Sequence, residues 1–363
     1  MVDNSRLGIA KRDKNDEFYT QFRDIEAEIY AYFEFNREVF RDKIILCPCD
    51  DPEWSEFTRF FAVNFQHFGL KKLISTSYAP GAANRQLTFF EKSSPIYDPV
   101  KHETRGKLFT VTNDENLENI NVDDIKLTRY LDGNGDFKSD EVCKLRDEAD
   151  FIITNPPFAK FREFLKWIMD ADKKFIILGN MNAITYKEVF PLMKNNLIWL
   201  GYSIHSRSVK FYTPEDYEDD SKITPIQIDE KGKKFVSMGN VRWFTNVEHG
   251  LRHESMLLDT MANNLRYNKK LRRHLTEKYG KIEFPKYDNY DAIEIPFTGC
   301  IPSDYAGVMG VPISFMDRYN SEQFEIIGVA NSGTGHNYDF FKPMINGKQI
   351  FKRILIKSKH PEC

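Results

Sequence analysis

One short stretch combines groups that suit recognition of a planar amine: Asn155, Pro156, Pro157 and Phe158. The side-chain oxygen of Asn155 and the carbonyl oxygen of Pro156 can both accept hydrogen bonds from a single exocyclic amine. The φ angle of proline is locked, so that carbonyl keeps a fixed direction, while Phe158 offers a π-face to a planar ring. The stretch therefore predicts a catalytic clamp for an aromatic amine such as the N6 group of adenine.

Such a clamp favours direct transfer of a methyl group to the amine nitrogen. The lone pair of adenine N6 is delocalised into the ring, and two acceptors on its hydrogens favour the pyramidal form, in which the lone pair is localised. A sulfonium methyl group placed in line is then open to attack through positioning and electrostatics, without a covalent enzyme intermediate. Asn155 does not act as a base in this scheme, because the methylated amine is strongly acidic and water can take its proton.

The alternative is a plain turn, since Asn-Pro and Pro-Pro both mark turns. Two flanking features favour the clamp. Residues 151–154 form an apolar run typical of a buried strand. Residues 158–171 place apolar side chains at i, i+3, i+4 and i+7, which indicates a helix with one apolar face. Asn155 follows the carboxyl end of the predicted strand, which is where ligands bind in doubly wound sheets.

Strand and helix patterns alternate between residues 40 and 250, which predicts an α/β fold with an open, mostly parallel sheet and helices on both faces. The predicted strands are 43–47, 71–78, 109–111, 151–154, 173–180, 198–204 and 241–247, and the predicted helices are 20–41, 52–65, 140–150, 158–171 and 184–196. From residue 251 the pattern becomes basic and then Gly/Pro-rich, so we expect a second lobe with irregular structure. The predicted domains are 1–250 and 251–363, with a boundary that can interleave from about residue 205.

The composition excludes several classes of protein. The formal net charge is −3, so any contact with nucleic acid must come from local basic patches. The N-terminus has no apolar core, and no stretch approaches the roughly 18 apolar residues of a spanning helix, so we expect neither a signal peptide nor a membrane partner. The five cysteines are irregularly spaced and lack paired CxxC motifs, which predicts reduced thiols in a cytoplasmic protein and no structural zinc.

The sequence NPPF after a buried strand is similar to the catalytic motif of amino-group methyltransferases that use S-adenosylmethionine. More specifically, the chain resembles the EcoRI-type adenine-specific DNA methyltransferases over most of its length. The segments that carry the resemblance are NDEFYTQ (15–21), CDDP (49–52), FAVNF (61–65), GLKKLI (69–74), GDF (135–137), TNPPF (154–158), ITYKEVF (184–190), IWLG (198–201), KYDNYDAI (286–293), GVMGVPI (307–313) and RILIK (353–357).

The resemblance implies a Rossmann-like S-adenosylmethionine-dependent methyltransferase fold with a C-terminal DNA-recognition lobe. It implies site-specific transfer of a methyl group to the N6 of adenine in double-stranded DNA, in a restriction–modification or related system. Because a base inside a duplex cannot reach such a pocket, the target adenine must be flipped out. A cognate restriction endonuclease that acts on the same site, without a stable complex, is the expected partner.

The resemblance also places the cofactor between three segments. Asp50 and Asp51 can accept hydrogen bonds from its ammonium or ribose hydroxyls, Asp136 can accept from its adenine amine, and Phe137 can pack on its ring. The full set assigned to the cofactor is Phe18, Tyr19, Thr20, Cys49, Asp50, Asp51, Pro52, Asp136, Phe137 and Asn155. The CDDP turn lacks the glycines that many methyltransferases carry there, and the sequence leaves open which of the two acids binds.

Each of these segments has a second interpretation. Asp50, Asp51 and Pro52 can instead cap the helix that follows them. The stretch DGNGDFKSD (132–140) imitates a calcium loop, but Phe137 stands at its sixth position and Cys143 at its twelfth, so we predict a plain Gly/Asn turn and no metal site.

The candidate DNA contacts are basic residues in the second half of the chain. They are Arg207, Arg252, His253, Arg266, Lys269, Lys270, Arg272 and Arg273. Arg252 and His253 are favoured because TNVEHGLRH is similar to the family at its TN and RH positions, while the run from Arg266 to Arg273 can also be a solvated helix face. Lysines at phosphates supply affinity, and arginines at guanine edges supply specificity.

Two other functions remain open from the sequence. The same clamp suits an RNA adenine or a protein glutamine amide, which is chemically similar to an adenine amine. A DNA-binding module that keeps the fold without turnover is the other alternative, although the intact NPPF sequence disfavours it.

Overall fold

The computed structural model describes residues 20–52, 55–79, 98–113, 129–205, 207–213 and 225–362. The chain divides into two compact units. Unit 1 comprises Met1–Met181 and Gly201–Glu248, and unit 2 comprises Asn182–Leu200 and His249–Cys363. The division near residue 249 lies beside the expected boundary, whereas residues 182–200 group with the C-terminal part of the chain.

Unit 1 contains a mixed sheet whose strands lie in the order β4-β3-β2-β1-β5-β6-β11. The strands are β1 (Ile44–Cys47), β2 (Lys72–Thr76), β3 (Lys107–Thr112), β4 (Arg129–Tyr130), β5 (Phe151–Thr154), β6 (Lys174–Asn180) and β11 (Val241–Thr245). The four central strands, β2, β1, β5 and β6, pair in parallel. Strands β3, β4 and β11 pair antiparallel to their neighbours.

The prediction of a mostly parallel sheet is therefore right for the centre and wrong for both margins. A parallel neighbour needs a crossover, usually helical, between the two strands. Strand β11 is instead preceded by a small antiparallel sheet of order β8-β10-β9, formed by β8 (Val209–Tyr212), β9 (Gln227–Ile228) and β10 (Lys234–Met238). The alternation of strand and helix patterns in the sequence therefore overstated the parallel part of the sheet.

The helices of unit 1 supply an aromatic core. They are α1 (Phe22–Phe35), α2 (Glu56–Val63), α3 (Phe65–Phe68), α4 (Pro99–Thr104), α5 (Asp140–Glu148) and α6 (Phe161–Met169), with a 3-10 turn at Phe158–Lys160. The predicted helix 158–171 is confirmed from Phe161 onward, and its apolar face is buried. The predicted helix 52–65 begins only at Glu56, because the side chain of Ser55 accepts hydrogen bonds from the first-turn N–H groups.

Unit 2 has more regular structure than its Gly/Pro-rich sequence indicated. Its helices are α7 (Phe190–Lys194), α8 (Met261–Tyr267) and α9 (Lys269–Tyr279), and its strands are β7 (Trp199–Leu200), β12 (Ala292–Glu294), β13 (Val308–Val311), β14 (Phe324–Asn331), β15 (Asp339–Phe341), β16 (Met344–Ile345), β17 (Lys348–Gln349) and β18 (Arg353–Ser358). Five of these strands form a sheet of order β12-β13-β18-β14-β15. The expectation of irregular structure is therefore wrong.

A buried ion pair lies inside that five-stranded sheet. The carboxylate of Glu294 is fully buried, and Arg353 Nη2 donates to its Oε1 at 2.6 Å. The hydroxyl of Tyr287 donates to the other oxygen, Oε2, at 2.6 Å. Both carboxylate oxygens are thus engaged, which is the condition for a charge to be tolerated in an interior. Across the part of the chain that the structure describes, no helix has the length and apolar character needed to cross a bilayer.

Candidate active site

The sheet of unit 1 changes direction at β1. From β1 the chain adds β2 and then β3 on one side, and it later adds β5 and β6 on the other. Ligands of doubly wound sheets bind at such a switch point, outside the carboxyl ends of the strands. Because β1 and β5 are parallel neighbours, the turn after Cys47 and the residues after Thr154 lie at the same edge. The CDDP and NPPF segments therefore meet there.

Asp50 joins these two segments directly. Its carboxylate is buried, accepts a hydrogen bond from Ser55 Oγ at 2.8 Å and accepts another from Thr154 Oγ1. Ser55 Oγ in turn accepts from the N–H groups of Phe57 and Thr58 at the start of α2. Burial raises the pKa of Asp50 to about 7, against the lowering effect of the bonds from Thr154 and Ser55.

The N-cap of α2 is Ser55. The interpretation in which Asp50, Asp51 and Pro52 cap this helix is therefore wrong. Pro52 is buried and lies outside the helix. Asp51 faces a different partner, because Lys107 Nζ lies 3.1 Å from its Oδ2. The Asp51 side chain keeps 15% of its surface exposed and that of Lys107 only 4%. The two neighbouring acids therefore have different environments.

Cys49 marks the point where the site segments converge. Burial raises the pKa of its thiol well above the ordinary value, and the negative charges of Asp50 and Asp136 raise it further. A hydrogen bond with Thr154 and the positive charge of Lys160 act in the opposite direction. Effects of this kind need proximity, so residues far apart in the sequence are close to one another around this thiol.

The GDF turn lies against the end of β2. Gly135 has a φ of +79°, and a Cβ at that position would collide with the backbone oxygen of Ser77, so only glycine is tolerated. Asp136 is half-buried, and its Oδ1 accepts from the N–H of Lys138 at 2.9 Å. Phe137 is buried, with its ring edge-on to the rings of two aromatic residues of α6. Its ring is thus a core element in this structure.

The NPPF segment leaves the sheet and turns into α6. Asn155 and Phe158 are half-buried, Pro156 is buried, and Phe158 packs against the main hydrophobic core of unit 1. The carbonyl oxygen of Pro157 accepts from the N–H of Lys160 at 2.9 Å and closes the 3-10 turn. The segment is thus held from both sides, by the hydrogen bond of Thr154 to Asp50 and by this turn.

The first predicted cofactor segment is partly described. Phe18 and Tyr19 lie outside the described residues. Thr20 is buried, and within the described ranges its hydroxyl has no hydrogen-bond partner. Phe22 packs on Phe60 of α2 with ring centroids 5.4 Å apart, so this segment adjoins the helix that follows CDDP. A buried hydroxyl without a partner is a position that a bound ligand can satisfy.

The structure adds residues that the sequence did not single out. Thr154 and Ser55 connect the segments, and Lys107 balances the charge of Asp51. Tyr78 follows the end of β2, is exposed, and lies with its ring centroid 5.5 Å from Lys160 Nζ. An aromatic residue at the end of a predicted strand was the available signal for Tyr78, whereas nothing local distinguishes Thr154 from any other strand residue.

The candidate DNA contacts are of two kinds. Arg207 of unit 1 is exposed, but its Nη2 donates to Asp24 at 2.6 Å. In unit 2 the guanidinium of Arg252 lies 3.5 Å from the ring centroid of Trp199 and donates to Asn196 Oδ1 at 2.7 Å. Both arginines are therefore held by other side chains, while His253, the residue after Arg252, is exposed.

The basic run lies on α8 and the first turns of α9. Its members are Arg266, Lys269, Lys270, Arg272 and Arg273, and all five are exposed. Lys270 Nζ lies 4.1 Å from the ring centroid of Phe297. Among the residues that the structure describes, none of the five forms an ion pair with an acid. The run is thus a cationic surface without local neutralisation.

No group of three or more His, Cys, Asp or Glu side chains in the described ranges is arranged to hold a metal ion. The described cysteines Cys47, Cys49, Cys143 and Cys300 are free thiols.

The similarity to known proteins extends over nearly the whole chain. The model of a family described as "Adenine-specific methyltransferase EcoRI" matches residues 6–359. The Type II methyltransferase M.EcoRI of Escherichia coli is 40% identical over 358 residues, which is 98% of this chain and 97% of that protein. M.MgeORF184P of Mycoplasma genitalium and M.MpnI of Mycoplasma pneumoniae are each 31% identical, over 96% of this chain and 98% and 97% of theirs. No solved structure matches with significant similarity.

Proposed function

The chain belongs to the family of EcoRI-type adenine-specific methyltransferases, and we propose that it works through a single site at the carboxyl edge of the sheet in unit 1. It is a Type II DNA methyltransferase, specific for adenine, of a restriction–modification system. The observation that carries the proposed site is the hydrogen bond between Thr154 and Asp50. It ties the residue before Asn155 to the turn after β1.

We infer that S-adenosylmethionine is the cofactor and that it binds between the CDDP turn, the GDF turn and the residues before α1. When bound, it supplies a methyl group carried on a sulfonium. The hydrogen-bonding groups that line the proposed site suit this cofactor. Thr20 has a buried hydroxyl without a described partner, Asp51 is a partly exposed acceptor, and Asp136 is a half-buried acceptor for an adenine amine.

We infer that the two adjacent acids, Asp50 and Asp51, have different roles. Asp50 is 7% exposed, and each of its carboxylate oxygens already accepts a hydrogen bond from a hydroxyl of the protein. Asp51 is the more accessible of the two, and a carboxylate that accepts from Lys107 keeps lone pairs for a ribose hydroxyl or an ammonium. We therefore assign cofactor contact to Asp51 and the positioning of the site to Asp50.

The clamp is inferred to act on a flipped adenine. Asn155 Oδ1 and the carbonyl of Pro156 accept from the two hydrogens of N6, which favours the pyramidal amine, and Phe158 lies beside the ring plane. Phe158 is suited to this because its packing against the core fixes its ring. After transfer the amine releases a proton to water, so no side chain of the site needs to be a base. Preorganised acceptors of this kind lower the barrier without any reorganisation at the moment of reaction.

Unit 1 is proposed to be a Rossmann-like methyltransferase domain. The order β3-β2-β1-β5-β6, with the switch point at β1, supports this, because doubly wound nucleotide-binding sheets have the same strand order. Strand β3 departs from that arrangement in being antiparallel to β2. Unit 2 is proposed to recognise the target sequence in double-stranded DNA. Its support is the exposed basic run on α8 and α9, which has the charge to contact phosphates.

The biological setting follows from the same reasoning. A Type II methyltransferase protects DNA from a nuclease, so we propose a cognate restriction endonuclease that acts on the same site without a stable complex. Both enzymes then meet chromosomal DNA in the cytoplasm.

A methyl-transfer assay tests the proposal. The purified chain is incubated with methyl-labelled S-adenosylmethionine and with duplex DNA, RNA or a glutamine-rich protein, and the labelled adenines are mapped by sequencing. We expect label at N6 of adenine within one short sequence of the duplex. Label in RNA or protein, or equal label at every adenine, contradicts the proposed substrate. Cofactor binding by calorimetry without any transfer indicates the catalytically silent module instead.

A further inference from the structure

A small antiparallel sheet in unit 1, formed by β8, β9 and β10, has two different faces. Side chains alternate along β8, where Val209 and Phe211 are buried while Lys210 between them is exposed. Val209 and Phe211 belong to the main hydrophobic core of unit 1, and so does Val236 of β10, which pairs with Phe211. One face is therefore fixed against the core, and the alternation directs Lys210 to the opposite face.

Four side chains of that opposite face interact with one another. Tyr212 of β8 pairs with Phe235 of β10, and their ring centroids lie 6.2 Å apart in an edge-to-face arrangement. Lys210 Nζ lies 4.7 Å from the centroid of the Phe235 ring. Lys233 Nζ lies 5.8 Å from the centroid of the Tyr212 ring. Each ammonium group is thus placed over an aromatic ring, and the four residues together are called the aromatic–lysine face.

The turn between β9 and β10 holds this face in place. Asp229 Oδ2 accepts a hydrogen bond from the Tyr212 hydroxyl at 2.7 Å. Its Oδ1 accepts from the N–H groups of Lys231 and Lys233 at 2.8 and 2.9 Å. Gly232 supplies the positive φ angle, +78°, at which the turn reverses the chain. The bond from Tyr212 is the main reason that the pKa of Asp229 lies below its ordinary value, so this acid serves the turn itself.

The two lysines of the aromatic–lysine face keep their charges for an external anion. Both are exposed, and within the described ranges neither forms an ion pair with an acid. Arg207 differs from them, because it donates to Asp24 at 2.6 Å. At the turn, the charges of the exposed residues 230 and 231, a glutamate and a lysine, oppose each other. The positive charge of the face therefore comes from Lys210 and Lys233.

We propose that the aromatic–lysine face is a phosphate-contact surface through which unit 1 itself binds the backbone of duplex DNA. The chain is a DNA methyltransferase, so duplex DNA is the polyanion that it must hold. Lysines on a sheet surface supply affinity through phosphates and carry no sequence information. Ammonium groups that already lie over rings also lose less side-chain entropy on binding.

This inference rests on the proposed function, since it requires a duplex substrate. It extends the proposed DNA interface, which otherwise consists of the basic residues of unit 2 and Arg207, to strands of the catalytic unit. The face contains no acceptor or pocket suited to a base edge, so its contribution is affinity alone.

Full-length variants test the proposal by removing charges in pairs. Lys210→Ala/Lys233→Ala removes the two ammonium groups of the face. Lys71→Ala/Lys144→Ala is the matched control, because it removes two exposed lysines elsewhere in unit 1. Binding is measured by fluorescence anisotropy at several salt concentrations, on a duplex with the mapped site and on one without it. Cofactor affinity, single-turnover methyl transfer at saturating DNA and thermal unfolding are measured for the same proteins.

We expect Lys210→Ala/Lys233→Ala to lower the slope of log affinity against log salt by about two, or about one for each phosphate contact. The loss of affinity should be equal on the two duplexes, because phosphate contacts do not read the sequence. Lys210→Arg/Lys233→Arg and the control variant should keep the wild-type slope. Cofactor affinity and the rate of methyl transfer at saturating DNA should be the same in all of them.

An unchanged salt slope in Lys210→Ala/Lys233→Ala overturns the proposal, because the two charges are then neutralised within the protein, where residues 214–224 contain five acids. An equal decrease in the control also overturns it, since the effect is then one of net charge. A changed oligomeric state with unchanged DNA binding assigns the face to a protein interface and overturns it as well.

If Lys210→Ala/Lys233→Ala unfolds, Lys210→Gln/Lys233→Gln decides by the same slope, because glutamine keeps an aliphatic stem beside the rings without the charge. Failure of the proposed function is a separate result. In that case the wild type does not methylate duplex DNA, whereas failure of this inference alone leaves methylation intact and the salt slope of the double variant unchanged.

Discussion

The edge of the sheet in unit 1 and the basic run of unit 2 both carry charged side chains, but their charges have opposite environments. Asp50 is buried, with hydroxyl groups bonded to both of its oxygens, and Asp51 faces Lys107. The basic residues on α8 and α9 are exposed and have no acidic partner in the described part of the chain. The first arrangement fixes geometry in advance, whereas the second leaves charge available for a polyanion.

This difference indicates which property each region controls. A substitution at the sheet edge disturbs a hydrogen-bond network in which each side chain positions the next. It should therefore alter both the rate of methyl transfer and the stability of the fold. A change in the basic run removes one solvated charge, so it should alter DNA affinity and its salt dependence and leave the chemical step intact. Substitutions in the two regions should therefore have separable effects.

Asn155→Ala should abolish most of the activity while cofactor binding persists. The proposed role of Asn155 is to hold the substrate amine, so its loss removes a contact that matters in the transition state. We expect single-turnover methyl transfer to fall by several orders of magnitude, while S-adenosylmethionine affinity in calorimetry changes far less, because Asn155 is one of many residues assigned to the cofactor. A reduction of less than about tenfold, which is about 1.4 kcal/mol of barrier, is incompatible with the clamp.

Asp50→Asn should change how stability depends on pH. The pKa of Asp50 is raised to about 7 in the folded chain, against about 3.9 in an unfolded one. The folded state therefore binds the proton more tightly, and the stability that Asp50 contributes is fully present below about pH 4 and is lost as the pH rises to about 7. Relative to Asp50→Asn, the wild type should lose about 2 to 3 kcal/mol of unfolding free energy between pH 5 and pH 8.

Urea titration of both proteins at the two pH values measures that difference. The control is Asp140→Asn, which replaces an exposed carboxylate at the start of α5. An equal pH dependence in wild type, Asp50→Asn and Asp140→Asn means that Asp50 is not a buried, desolvated carboxylate in solution, and the comparison between the two regions then loses its basis.

Asp51→Ala should weaken cofactor binding more than Asp50→Asn does. Of the two acids of the CDDP turn, Asp51 keeps the larger exposed surface, so its loss should raise the dissociation constant by about tenfold, or about 1.4 kcal/mol. Calorimetric titration with S-adenosylmethionine gives both values. Unchanged affinity in the two variants removes the CDDP turn from the cofactor site, and the reverse order exchanges the roles of the two acids.

Lys269→Ala should have the smallest effect and should affect only DNA. The side chain is exposed at the first residue of α9, so we expect a uniform loss of affinity across DNA sequences and a salt slope lower by about one. Arg207→Ala is the informative comparison, since Arg207 is paired with Asp24 in unit 1. If Arg207→Ala relaxes base discrimination, sequence reading extends into unit 1 and the two regions are less separate than proposed.

The local part of the fold could be predicted because it depends on neighbouring residues. The run at 151–154 and the periodic segment after it became β5 and α6, since side-chain spacing of two or of 3.6 residues is visible within a short window. The prediction failed for the margins of the sheet and for the five strands of unit 2. Strand β14 there pairs with β18, and no short window contains both partners of such a pair.

The same contrast between local sequence features and long-range contacts applies to the candidate site. The sequence alone determined that a strand ends in an amide, two prolines and a phenylalanine, and that two acids follow another strand, because these are properties of single segments. Only the tertiary structure decided that Cys49, Asp136 and Thr154 are close together and that Asp50 is buried beside Thr154. Two adjacent aspartates are chemically identical in a sequence, and they acquire different roles only when parallel pairing of β1 with β5 buries one of them and leaves the other facing Lys107.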